Sequence, residues 1–108
     1  MENTSPFVAM QRLETQLKTL IRQLDMDTLE PKERQAIIKV RRLGADARLD
    51  IRDYELSETR EEQLTNAADA RKRLKGIEDN LQNAGFVFGP ADMAQISAQL
   101  AQINGWLV

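Results

Sequence analysis

Three aspartates, Asp46, Asp50 and Asp53, recur at helical spacing in the middle of the chain. Carboxylates projecting from one side of a helix can hold Mg²⁺, especially with help from a neighbouring element. Glu58, Glu61 and Glu62 follow closely enough to supply that help. Such a set would serve a metal-dependent helical hydrolase. The paired E-x-x-E and E-x-x-D pattern that would make this chemistry specific is missing. Charged helix flanks are common, so the expected reading is a solvated acidic flank beside Arg or Lys neighbours.

Arg34, Arg41, Arg48 and Arg52 form a second ribbon on the same stretch. A line of guanidinium groups can track phosphates, which would suit a nucleic-acid-associated protein. No aromatic residues are interleaved with it, and no helix-turn-helix spacing surrounds it. Arginines also flank helix–helix seams, where they pair with acids. That pairing is the role expected here. Arg71, Lys72 and Arg73 point around a helix instead of along one face, so they do not extend the ribbon.

Other chemistry is narrowed by composition. The chain has no cysteine, which excludes disulfides and thiolate chemistry, and no histidine, the commonest acid–base group and zinc ligand. No catalytic residue, cofactor or metal is therefore expected. The net charge of −2 gives no global field favouring nucleic acid or acidic membranes. No run reaches the roughly 20 apolar residues of a membrane span, and the opening MENTSP lacks the basic leader and apolar core of a signal peptide. A cytoplasmic protein is the expectation, with no membrane and no nucleic acid among its partners.

The residues that could do chemistry sit on an element with an unusual pattern. Pro31 to Leu56 reads as one long helix with two apolar stripes. Ile37, Val40, Leu43, Gly44, Ala47, Ile51 and Tyr54 step by threes and fours, the spacing of a helix–helix seam. Tyr54 on that seam reads as core with its hydroxyl at the edge. Ile38, Ala45, Leu49 and Leu56 step by seven, four and seven, and fall roughly opposite. Pro31 suits the first turn, with Thr28 or Asp27 as cap. Thr59 and Glu62 match a capping box, which predicts a break near 57–59; a helix running straight through is the alternative.

Around it the chain predicts three further helices in a single all-α domain spanning 1–108, at about 6–24, 60–84 and 91–104, with the long helix at 31–56. The first carries Met10, Leu13, Leu17, Leu20, Ile21 and Leu24, headed by Phe7. The third carries Ala67, Ala70, Leu74, Ile77, Leu81 and Ala84, and Gly85 terminates it. The fourth carries Met93, Ile96, Leu100 and Ile103. Short links favour antiparallel neighbours. The expected fold is an antiparallel long hairpin within a four-helix arrangement, with coiled-coil-like packing.

An apolar stripe beyond what one bundle covers implies association. Ile38, Ala45, Leu49 and Leu56 are the expected interaction residues, for a second copy of the chain or another protein. Phe86 and Phe88, between two glycines, form a loop that either docks into a partner or packs locally, Phe88 then stapling the next helix near Met93. Trp106 is the remaining candidate contact near the chain's end. The expected function is a non-enzymatic protein–protein interaction module, a small adaptor, regulator or assembly factor and a homodimer.

Overall fold

The computed structural model describes residues 5–85 and 87–107. Among the described residues the chain forms four α-helices and one 3₁₀ turn: α1 at Pro6–Arg22, the turn at Met26–Thr28, α2 at Pro31–Glu55, α3 at Arg60–Asn83 and α4 at Pro90–Trp106. Among the described residues there is no strand, and no helix is long and apolar enough to cross a membrane.

Local signals set the helix ends. Ser5 caps α1 by accepting the Val8 amide at 3.2 Å, and Pro6 occupies its first turn. Residue Glu30 caps α2, in place of the expected Thr28 or Asp27. Those two belong to the 3₁₀ turn, where the Asp25 carboxylate accepts the Asp27 amide at 3.1 Å. Glu33 then reaches back to accept the Glu30 amide at 3.0 Å. The helix breaks after Glu55, as the Thr59–Glu62 signal predicts. Thr59 Oγ1 accepts the Glu62 amide at 3.1 Å, but the Glu62 carboxylate accepts from the Glu58 amide, one residue before the cap. Gly85 takes the left-handed conformation, φ 66°, that ends α3.

Pairings between helices fix the topology. Ser57 meets Asn66, Asp50 meets Arg73 and Leu43 lies against Gly76, so α2 and α3 run antiparallel. Phe7 meets Glu55, Glu14 meets Arg48, and Gly44 faces Leu17, so α1 is also antiparallel to α2. The α2–α3 hairpin is the largest interface, and α4 closes the far side by packing on α1 and α3. Long α2 is thus held between α1 and α3. Its core face buries Ala36, Ile37, Val40, Gly44, Ala47, Ile51 and Tyr54, in one core that also holds Met10, Leu13 and Leu17 of α1, Leu74, Ile77 and Leu81 of α3, and Ile96, Leu100 and Ile103 of α4.

Candidate interaction surface

The outward face of α2 is where the bundle runs out of cover. On the helical wheel, α1 and α3 approach α2 from opposite flanks, and the core fills the side between them. Ile38, Ala45, Leu49 and Leu56 point away from that core. Ile38 is 53% exposed, Leu49 39% and Leu56 70%, while Ala45 is half-buried. Three large aliphatic side chains therefore stay in water along one line.

Charge frames this line. On the α1 side, Arg48 donates through Nε to Glu14, and Lys18 lies 3.4 Å from the same carboxylate. Arg34 donates to the Leu29 carbonyl at 3.0 Å. Arg41 faces a cleft of about 280 Å³ with Lys18, Arg22, Ile21, Leu24 and Met26. Arg52 contacts the neighbouring Asp53 at 3.5 Å. The ribbon is thus spread over four different environments, and among the described residues only Arg48 of the four forms a cross-helix ion pair.

On the α3 side, Arg73 draws the aspartates inward. Its Nε lies 3.3 Å from Asp50, and Nη1 3.9 Å from Asp46. Burial raises the Asp50 pKa above its ordinary value, against the lowering effect of Arg73; the charges of Asp69 and Asp46 add to the rise. Asp53 stands apart, beside Arg52. Among the described residues no three acidic side chains gather to form an ion cage.

The remaining expected contacts are not on this face. Phe88 is 4% exposed and belongs to the core, so of the two readings of the loop its side chain follows local packing. It occupies the position before the Gly89 cap of α4, with Met93 four residues past the cap, the arrangement of a hydrophobic staple. Phe86 lies outside the described residues. Trp106 ends α4, 36% exposed, and its carbonyl accepts from the Tyr54 hydroxyl at 3.4 Å. Tyr54 projects from the core side of α2, so Trp106 sits away from the outward stripe.

Two features escape the sequence reading. Glu14, 6% exposed, is the buried charge among the described residues. Its position next to Leu13, four after Met10, places it inside the apolar arc of α1, a signal present in the sequence. Leu64 is 46% exposed on α3. It shares a face with Arg71, seven residues on, which donates to the Leu107 carbonyl, so it lies on the α4 side. Compared with known proteins, the chain matches no family model, and no similar curated protein or solved structure is found.

Proposed function

We propose that the chain is a non-enzymatic protein–protein interaction module, a small helical adaptor, regulator or assembly factor, that associates through the outward face of α2 and pairs first with a second copy of itself. The observation that supports this reading is the line of Ile38, Leu49 and Leu56, exposed while α1 and α3 occupy both flanks of the same helix. Fully burying a Leu or Ile side chain contributes roughly 1.5–3 kcal/mol. These three retain 39–70% of their surface, so about half of that gain is open to each. Helix-on-helix recognition uses such an apolar face, here at i, i+7, i+11 and i+18 once Ala45 is included. The cytoplasm is the compartment proposed for it.

The two enzyme and nucleic-acid alternatives draw less support. A hydrolytic metal site would need Asp46 and Asp50 free, and both are held toward Arg73. Phosphate tracking would need a continuous arginine line, and Arg34 and Arg48 are turned to partners within the chain.

Light scattering at low micromolar concentration tests the proposal. The expected mass is twice the 12.3 kDa of one chain. Ile38→Glu with Leu49→Glu should return the mass to one chain with helical circular dichroism unchanged. A wild-type mass of 12.3 kDa would remove self-association.

A further inference from the structure

The stripe on α2 also dictates how two copies would meet. We infer that the second copy lies antiparallel across α2, on a two-fold axis level with Ala47, so that Ile38 packs on the partner's Leu56 and Ala45 on the partner's Leu49. This inference rests on the interaction reading above and adds orientation, register and charge pairs to it.

The apolar spacing is the first ground. Steps of seven, four and seven read the same in both directions. Reversing the helix about Ala47 therefore lays the stripe onto itself, and half-buried Ala45 leaves room for the partner's Leu49. A parallel pairing would instead stack Ala45 on Ala45 and leave a gap, which costs packing.

Charge is the second ground, and it is independent of the first. From Pro31 to Ala45, α2 carries Lys32, Arg34, Lys39, Arg41 and Arg42 against the single acid Glu33. From Asp46 to Glu55 it carries Asp46, Asp50, Asp53 and Glu55 against Arg48 and Arg52. An antiparallel pair sets the basic half of each copy against the acidic half of the other; a parallel pair sets like against like.

One specific pair follows from the wheel. Arg42 and Asp53 lie on the same side of the stripe, the α3 side, and are mirror positions about Ala47 to within one residue. A two-fold perpendicular to the helices keeps like flanks together, so each Arg42 meets the partner's Asp53. Both are exposed, and among the described residues Arg42 makes no ion pair. The acids that a parallel arrangement would offer to the arginine ribbon, Asp46 and Asp50, are already on Arg73. The cost of the antiparallel arrangement falls on the α1 side, where Arg41 comes near the partner's Arg52 and Arg48 near the partner's Arg48; it is eased by the exposure of Arg41 and Arg52, by the contact of Arg52 with Asp53 and by the ion pair of Arg48 with Glu14.

The chain lacks cysteine, so single-cysteine variants report without interference. Ile38 and Leu56 lie about 27 Å apart along α2, at 1.5 Å per residue. Facing helices sit about 8–10 Å apart, within reach of a short bis-maleimide. Mixing Ile38→Cys with Leu56→Cys should give the linked heterodimer, and neither variant alone should link to itself. In parallel, Arg42→Asp and Asp53→Arg should each weaken the dimer about tenfold, and the two together should restore it. Self-linking of Ile38→Cys in a dimer of wild-type mass would overturn the antiparallel register and leave the interaction reading standing. A dimer in which no pair links, or in which the charge swap fails to restore affinity, would also overturn the inference. A monomer by light scattering would remove the reading on which it rests.

Discussion

Arg48 donates through Nε to Glu14 at 3.2 Å, joining α2 to α1, and the two ends of the pair are unequally buried: the Glu14 side chain is 8% exposed and the Arg48 side chain 32%. Removing the exposed member strands the buried one. Arg48→Ala leaves a carboxylate among Met10, Leu13 and Leu17 with only Lys18 beside it, and should cost about 2 kcal/mol. Glu14→Leu removes the buried charge together with its desolvation cost, so it should cost less than Arg48→Ala, and the double variant should resemble Glu14→Leu. Urea unfolding of the three variants checks the order. Equal losses for the two single variants would show that Glu14 is solvated enough to stand alone.

Two glycines of the long hairpin differ in what surrounds them. A Cβ placed on Gly44 would lie 3.8 Å from Glu14 Cγ and 4.0 Å from Leu17 Cδ1, ordinary contact distances. One placed on Gly76 would lie 3.0 Å from Leu43 Cδ1. Both residues are mid-helix, where alanine is favoured over glycine by about 1 kcal/mol. Gly44→Ala should therefore stabilise by about that amount and raise the melting temperature. Gly76→Ala should gain less, because the half-buried Leu43 side chain must shift. A Gly76→Ala protein that melts above Gly44→Ala would reverse this account of the α2–α3 seam.

What could be read from the chain alone divides along the same physical line. Ile37, Val40, Ala47, Ile51 and Tyr54 were readable as a seam because a helix repeats every 3.6 residues whatever it packs on, and all are buried. The α3 stripe from Ala67 to Ala84 was readable for the same reason. The same repeat places Ile38, Leu49 and Leu56 opposite the seam, as a stripe beyond what one bundle covers, and they are exposed because α1 and α3 take the flanks and not the outward face. The Glu14–Arg48 pair spans 34 residues, and no local pattern announces a partner at that distance. The cap of α2 was misplaced because Asp27 and Thr28 have good capping side chains, yet the 3₁₀ turn enlists both before the helix begins.

Asp50 gives the fold a pH dependence with a definite sign. Desolvation raises its pKa above 3.8 in spite of the bond from Arg73. A carboxylate with a raised folded-state pKa binds its proton more tightly in the folded than in the unfolded chain. Its contribution is fully present below the unfolded value and is lost as pH rises through the folded one. Asp50→Asn removes that loss and keeps an acceptor for Arg73. The stability of Asp50→Asn relative to wild type should rise as pH goes from about 3 to 7. Thermal melts at both ends of that range measure it, and a difference that falls with pH would mean the Arg73 ion pair outweighs desolvation.

Phe88 decides whether the loop between α3 and α4 is structure or binding surface. Its side chain is 4% exposed and joins the core cluster, in which Met93 is a partly buried member. Gly85 turns the chain with positive φ, Gly89 caps α4, and Phe88 holds the entry of α4 between them. Truncating a buried Phe leaves a cavity as well as forfeiting transfer free energy, so Phe88→Ala should cost about 3 kcal/mol. Phe88→Leu refills most of the volume and should cost about 1 kcal/mol. Neither should change the affinity of self-association measured under conditions where the variant is folded, because the residue faces the core and the proposed surface is the outward face of α2. Unchanged stability with weakened association would place Phe88 at an interface instead, and the staple at the head of α4 would then have to be carried by Val87 and Met93 without it.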